Sequence, residues 1–228
     1  MLADFSVALL LFRLLGRDGL ILLIAANVIL CNLQVMKLTT LFGVTVTLGN
    51  ILYGSIFFAT DMLSEIYGKR QARRGVMIGF VALLMFTGVT QIALLFSVAP
   101  DPWAEAIQSA MSTLFGLVPR IALASVVAYL VSQFHDVWAF HYWKARTRGR
   151  HLWLRNNFST AVSQLIDTAI FCTVAFYGVV GTQPFIEILI STYVMKLAVA
   201  MMDTPFMYLG RRIALARGEL IERGETNA

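Results

Sequence analysis

Six long apolar runs, separated by short polar segments, take up most of this sequence. Each run has about the 20 residues that a helix needs to cross the hydrocarbon core of a bilayer. We predict membrane spans at residues 20–41, 45–67, 75–98, 113–134, 158–181 and 185–209, preceded by a short interfacial helix within residues 1–17. The pattern therefore indicates an all-α, polytopic integral membrane protein in which residues 1–228 form a single six-helix transmembrane domain.

The overall composition agrees with this class of protein. Hydrophobic residues make up 58% of the chain and charged residues 14%, whereas soluble domains carry about 25% charged residues. This balance excludes an ordinary soluble domain. The net charge of +5 is of the sign that nucleic acid binding requires, but almost all of the Lys and Arg residues lie in short segments between apolar runs, where membrane topology explains them. We expect the lipid bilayer, and no nucleic acid, as a partner.

The basic residues also predict an orientation. Of the 18 basic residues, 15 lie before the first span, between the second and third spans, between the fourth and fifth spans, and in the C-terminal tail. The opposite connections contain none, and Lys37, Arg120 and Lys196 lie within or at the ends of spans. The positive-inside rule places the basic segments, and with them both termini, in the cytoplasm. Spans one to three and four to six then have opposite orientations, which is compatible with a 3+3 inverted repeat.

The second span carries a face of polar and aromatic residues. Asn50, Tyr53, Phe57, Asp61 and Glu65 fall within roughly one third of the helix circumference. A charged side chain at bilayer depth costs at least about 2.5–3.5 kcal/mol, so such residues usually face a bundle interior or water. This face is therefore a candidate functional surface.

Other spans repeat this arrangement. Their predicted polar faces contain Asn27, Gln34 and Lys37 in the first span, Asn157, Gln164, Asp167 and Phe171 in the fifth, and Tyr193, Lys196 and Asp203 in the sixth. Asp167 and Lys196 both fall near the bilayer midplane on antiparallel helices. They are candidates for a structural ion pair or for two sides of one binding site, and the sequence leaves both interpretations open. Together the polar groups predict a column through the bundle, as a permeation route requires.

Enzyme motifs are missing from the sequence. It contains no GxxxxGK[ST] phosphate-binding loop, no HExxH motif and no GxSxG motif. His135, His141 and His151 show no metal-ligand spacing and are predicted in or beside a solvated loop, while Cys31 and Cys172 are predicted packing residues. We therefore expect neither an enzyme nor a cofactor or metal site.

Two segments resemble signatures of the queuosine precursor transporter family. Residues Gly49–Lys69, followed by Ala72 and Arg73, resemble its second-helix signature, and Trp153–Thr168 resemble its fifth-helix signature. The order, the spacing and the six-span frame match as well. The resemblance implies a transporter of the bacterial inner membrane that imports deazaguanine nucleobases, the cyano- and aminomethyl-bearing precursors of queuosine in tRNA, for queuosine salvage.

Such a ligand suits the polar residues of the spans. A guanine-like edge presents adjacent N–H donors to a carboxylate and a carbonyl to an amide or ammonium group, and its flat rings need aromatic partners. Asp61, Glu65 or Asp167 would carry the proton in proton-coupled transport. We expect substrate binding by Asn50, Tyr53, Phe57, Asp61, Asn157, Gln164, Asp167, Phe171 and Lys196, and coupling or gating by Glu65, Lys37 and Asp203.

Two other functions are weighed against transport by the chain alone. One is a substrate-binding subunit of an energy-coupling-factor-like vitamin transporter, which needs a separate ATPase. Gly75, Gly79 and Gly88 on the third span would offer a small-residue docking face for that module. The other is a membrane enzyme acting on lipids, for which no nucleophile and base pair is apparent. Small-residue faces would also suit a homodimer.

Overall fold

A computed structural model describes residues 2–41, 43–146 and 152–219, and this part of the chain is almost entirely helical. The all-α class predicted from the sequence is confirmed, with one small β-hairpin added. The elements are α1 (Leu2–Leu15), α2 (Arg17–Gln34), β1 (Leu38–Leu41), β2 (Val44–Thr47), α3 (Asn50–Tyr67), α4 (Lys69–Leu94), α5 (Pro102–Phe115), α6 (Val118–Arg146), α7 (Leu152–Phe176) and α8 (Thr182–Ala216).

Three helical segments of the described chain are long and apolar enough to cross a membrane. They are Arg17–Gln34, Lys69–Leu94 and Pro102–Ser132, and the last of them covers α5 and the first half of α6. Ala161–Phe176 is a shorter apolar helix. The chain is therefore a helical membrane protein.

The chain divides into two compact units. The first unit comprises Met1–Cys31, Gly49–Phe86 and Val199–Ala228. Its core contains Phe5 and Phe58, whose ring centroids are 5.4 Å apart, and Phe206, which lies 4.9 Å from Phe5. These aromatic contacts tie α1, α3 and α8 together.

The predicted N-terminal helix is present as α1, and one of its faces is part of the core of the first unit. Phe5, Ala8, Leu9 and Phe12 are buried, and their i, i+3, i+4 and i+7 spacing places them on one side of the helix. α2 follows after a turn at Gly16, which has a φ of 60°. α1 is thus anchored to the first unit by the packing of this one face.

The ends of α1, α3 and α8 meet in a polar cluster that we call the terminal clasp, formed by Arg13, Tyr67, Arg217 and Glu219. Arg217 donates to the backbone carbonyl of Arg13 and forms an ion pair with Glu219 at 2.9 Å. The Tyr67 hydroxyl donates to the same carboxylate. Burial raises the pKa of Glu219, but the hydrogen bonds from Arg217 and Tyr67 outweigh it, so the pKa lies below its ordinary value.

The β-hairpin corrects two predicted span boundaries. α2 ends at Gln34, and β1 pairs with β2 in antiparallel register from Leu38 opposite Thr47 to Leu41 opposite Val44. The alternating Val and Thr residues of β2 and the two Thr residues of β1 favour strands, and Gly43 turns the chain with a φ of 80°. The first span therefore does not extend to residue 41, and the second does not begin at residue 45.

The second unit comprises Asn32–Leu48 and Thr87–Ala198. Its core is formed by apolar residues of α6, α7 and α8 together with the segment that leads into β1: Val35, Ile121, Ala124, Cys172, Ala175, Phe176 and Ile188. The packing role predicted for Cys172 is confirmed, since this residue is fully buried.

The amphipathic helix α5 was not expected from the sequence, which assigned most of its residues to a connection. The Asp101 side chain caps it by accepting from the Ala104 amide at 3.0 Å, and Pro102 occupies its first turn. A break follows near Pro119, which has no N–H for the Phe115 carbonyl four residues earlier. Gln91 of α4 donates to that carbonyl at 2.8 Å instead.

The C-terminus of α7 is capped by a side chain from α6. Arg120 donates to the carbonyl of Val174 at 2.7 Å and to that of Tyr177 at 2.6 Å. The last carbonyls of a helix lack partners within the helix, and a cation there also interacts favourably with the helix dipole. Arg120 therefore holds α6 and α7 together at this end.

Candidate functional site

The centre of the candidate site is an ion pair between α7 and α8 in the second unit. Lys196 Nζ donates to Asp167 Oδ2, and the two side chains are 5% and 3% exposed. Removing two charges from water is costly, so neither charge is tolerated at this depth without its partner. The sequence prediction that Asp167 and Lys196 lie close together is confirmed.

A third helix contributes to the same carboxylate. Ser132 of α6 donates to Asp167 Oδ1 at 3.3 Å, a long distance for a hydroxyl donor. Both carboxylate oxygens thus receive hydrogen bonds from the protein. The Ser132 hydrogen bond is the weaker of the two, so a better donor could displace it at little cost.

Two polar atoms beside this pair are buried without a hydrogen-bond partner among the described residues: Gln164 Oε1 and Thr168 Oγ1. Gln164 precedes Asp167 by three residues on α7 and is 7% exposed, while Thr168 follows Asp167 directly and is fully buried. A buried polar atom left unpaired costs about 1–3 kcal/mol. Such atoms next to a buried charge pair are suited to bind a ligand that supplies the missing partners.

A second polar contact between α6 and α7 lies one helical turn away. His135 Nδ1 is 3.0 Å from Ser163 Oγ, and His135 and Ser163 are spaced by three and four residues from Ser132 and Asp167. The prediction that His135 belongs to a solvated loop is wrong, because this residue is half-buried within α6. The sequence signal for this contact was the spacing of one helical turn between Ser132 and His135 on α6 and between Ser163 and Asp167 on α7. The side chains of His141 and His151 lie outside the described residues.

The hairpin and α8 are joined close to the site. Ser191 Oγ donates to the Thr45 carbonyl at 2.8 Å, and Tyr193, predicted on the same face as Lys196, donates to the Ala161 carbonyl of α7 at 3.3 Å. Lys37 is not on a helical face as predicted. It is exposed at the base of the hairpin, where its carbonyl accepts from the Leu48 amide at 3.1 Å.

The predicted residues of α3 belong to the first unit. Asn50 is buried, and the half-buried rings of Tyr53 and Phe57 are 4.8 Å apart. Glu65 is half-buried, and Asp61 is exposed although an interior position was expected for it. The reason is that the opposite face of α3, which carries Phe58, Met62 and Leu63, forms the core of this unit.

Of the remaining predicted site residues, the structure describes the side chain of Phe171 but not those of Asn157 and Asp203. Phe171 is half-buried on α7, with its ring 6.0 Å from that of Phe176 in an edge-on arrangement. Of the predicted substrate-binding residues, Asp167, Lys196 and Gln164 therefore lie at one place in the second unit. Ser132, which the sequence did not predict, also belongs to this place, because it donates to Asp167.

Comparison with known proteins gives the class of this molecule. Residues 47–210 match the family described as "Putative vitamin uptake transporter". This segment runs from the last residue of β2 into α8 and contains every residue of the ion-pair site. The fold and the match together define a membrane transporter.

Named relatives narrow the class further. A "Probable queuosine precursor transporter" of Bacillus subtilis (strain 168) is 44% identical over 92% of this chain and 90% of its own length. The "Queuosine precursor transporter" of Escherichia coli (strain K12) is 28% identical over 86% of both chains. A Haemophilus influenzae relative with the same name as the Bacillus protein is 33% identical over 66% of this chain and 61% of its own. No solved structure matches the chain.

The chain belongs to the queuosine precursor transporter family. The resemblance found in its two helix signatures is thereby confirmed. The relatives are named transporters, which fits the expectation that this protein is not an enzyme.

Proposed function

We propose that this protein imports deazaguanine nucleobases, the cyano- and aminomethyl-bearing precursors of queuosine, and that Asp167 and Lys196 form the polar end of its substrate site. The observation that carries the proposal is the buried pair of these residues beside the unpaired oxygen of Gln164. A purely structural ion pair would not account for a second, unsatisfied acceptor three residues away.

The chemistry of the substrate fits these groups. The adjacent N–H donors of a guanine-like edge would bind Asp167 in place of the long Ser132 hydrogen bond. Gln164 Oε1 would accept from a further donor of the ligand, and Lys196 would donate to the ligand carbonyl. Phe171, four residues after Asp167 on α7, and Tyr193, three residues before Lys196 on α8, are proposed to stack on the rings.

The remaining residues of the predicted set keep their proposed roles. Asn50, Tyr53, Phe57, Asp61 and Asn157 are proposed for substrate binding. Lys37, Glu65 and Asp203 are proposed for coupling or gating.

The proposed topology supports import into a bacterial cell. Six spans are predicted from the apolar runs, and the distribution of basic residues predicts that both termini are in the cytoplasm. A 3+3 inverted repeat would provide two halves that move against each other around a midplane site. The protein would thus be a multi-pass transporter of the inner membrane that works by alternating access, as a monomer or a homodimer.

The direct test is uptake of labelled precursor into liposomes that contain only the purified chain. The wild type should accumulate the precursor, and Asp167→Asn should lose accumulation while still inserting into the membrane. The double variant Asp167→Asn, Lys196→Met leaves no uncompensated charge and should lose accumulation as well. Glu105→Gln is the matched control, because that carboxylate lies on α5, which has no buried residues. Equal uptake by Asp167→Asn and the control would remove Asp167 from the site.

The same liposomes test the alternative of a binding subunit that needs an ATPase. Accumulation driven by an imposed proton gradient, with no other protein present, would exclude that alternative. Tight binding without any accumulation would favour it.

A further inference from the structure

The first two turns of α4 form a basic cleft to which the proposed substrate site assigns no residue. Arg70, Arg73, Arg74 and Met77 lie at i, i+3, i+4 and i+7, so they share one side of the helix. Together with Gln71 they line a cleft of about 490 Å³. We call this surface the arginine cleft.

The positive charge of the arginine cleft is not neutralised within the described part of the chain. Arg70, Arg73 and Arg74 are exposed, and no carboxylate among the described residues forms an ion pair with any of them. Gln71 Oε1 is enclosed there and has no hydrogen-bond partner in the described part of the chain. Three guanidinium groups on one helix face attract an anion, and guanidinium binds phosphate oxygens in a bidentate manner.

An exposed apolar stripe continues from the arginine cleft along the same face of α4. Met77, Val81, Leu84 and Met85 are 59%, 51%, 60% and 65% exposed. At 100° per residue they fall in the same angular sector as the three arginines. The face is therefore cationic at its start and apolar for the next two turns.

We propose that the arginine cleft and this stripe bind an anionic phospholipid. The guanidinium groups would hold the phosphate, and an acyl chain would lie along Met77, Val81, Leu84 and Met85. A free phosphate would explain the charge but not the stripe, whereas an anionic lipid matches both in the order in which they occur. Basic residues at the end of an apolar helix also lie at headgroup level, where such lipids are found. The proposal depends only on membrane insertion and not on which substrate is transported.

Lipid retention by the purified full-length chain tests the proposal. The chain in neutral detergent is titrated with phosphatidylglycerol or phosphatidylcholine, and bound lipid is measured by native mass spectrometry. The wild type should retain phosphatidylglycerol preferentially. Each basic residue at an anionic headgroup raises the binding constant about fivefold. The triple variant Arg70→Gln, Arg73→Gln, Arg74→Gln should therefore bind phosphatidylglycerol roughly a hundredfold more weakly.

The control removes other exposed basic residues. Arg211→Gln with Arg212→Gln lowers the charge on α8, where the two arginines are exposed, and should leave retention unchanged. If both variants lose phosphatidylglycerol in proportion to the charge removed, attraction by net charge explains the binding and the proposal fails. Circular dichroism establishes that both variants are folded.

The apolar stripe is tested separately. Met77→Gln with Val81→Gln keeps all three arginines and should still weaken phosphatidylglycerol retention by roughly tenfold, because about two buried apolar contacts are lost. Glycerol phosphate at the same concentration should not displace the lipid from the wild type. Displacement by glycerol phosphate, or an unchanged affinity of the stripe variant, would show a site for the phosphate group alone and overturn the lipid assignment.

Discussion

At the scale of residues, the central feature is a buried charge pair that depends on both partners. Removing one member of such a pair leaves an uncompensated charge and costs about 3–5 kcal/mol, whereas replacing both is often nearly neutral. Single and double substitutions at Asp167 and Lys196 therefore separate the stability that the pair provides from its role in binding.

Lys196→Met should strongly destabilise the protein, because it leaves the Asp167 carboxylate buried without its ammonium partner. The double variant Asp167→Asn, Lys196→Met should recover most of the lost stability. Thermal unfolding of the purified proteins in detergent measures both effects. A double variant as unstable as the single variant would contradict this account.

Gln164→Leu should separate binding from stability. Because Gln164 Oε1 has no partner among the described residues, its removal should not destabilise the fold, while the ligand loses an acceptor. We expect an approximately tenfold increase in KM for uptake, which corresponds to about 1.4 kcal/mol. A fall in melting temperature with an unchanged KM would mean that this side chain supports the fold alone.

The sequence predicted Asp167, Lys196 and Gln164 because polar residues within an apolar run are conspicuous and carry a large insertion cost. It missed Ser132 and His135 for a physical reason. A single Ser in a span is usually a packing residue, and a His next to a basic segment usually contacts water. Only the contact of α6 with α7 reveals their partners.

At the scale of elements, helix ends account for most differences between prediction and structure. Hydropathy finds apolar runs but not where a helix stops, so it extended the first span through β1 and began the second span within β2. The β-branched residues of β1 and β2, with Thr and Val alternating in β2, were the missed signal. Likewise, the alternating polar and apolar faces of α5 identify a helix that hydropathy averaging treats as a connection.

The break between α5 and α6 should depend on Gln91. Gln91→Leu should cost about 1–3 kcal/mol, because the Phe115 carbonyl then loses its donor. In a Pro119→Ala background this cost should shrink, since the substituted alanine restores an N–H to the helix. Unfolding of the four proteins in this double-mutant cycle provides the measurement, and additive effects would contradict the proposed compensation.

The terminal clasp should make stability depend on pH. The pKa of Glu219 is lowered from its ordinary value of 4.5. Its contribution to the free energy of unfolding is therefore fully present above pH 4.5 and is lost as the pH falls through the lowered pKa. Glu219→Gln should melt about 2 °C below the wild type at pH 7, and the difference should vanish in acid. Glu105→Gln, outside the clasp, should show no such dependence, and a constant difference for Glu219→Gln would exclude the ion pair as its source.

At the scale of the whole molecule, the long apolar runs and the composition identified a helical membrane protein, and two helix signatures identified its family. Individual spans were predicted less well because their limits depend on capping, such as that of α7 by Arg120. The first unit shows how sequence and structure combine. The sequence predicted an interior position for the polar face of α3, but Asp61 is exposed, and the packing of Phe58, Met62 and Leu63 shows which face of α3 is buried.

The central claim is that the Asp167 and Lys196 pair binds the substrate and is not solely structural. Equilibrium binding of a labelled deazaguanine precursor to the purified chain tests it most directly, with the wild type compared to the folded double variant Asp167→Asn, Lys196→Met. We predict saturable binding to the wild type and at least a hundredfold loss in the double variant at preserved thermal stability. Equal affinity of the two proteins would contradict the claim and make the pair a structural element of the second unit.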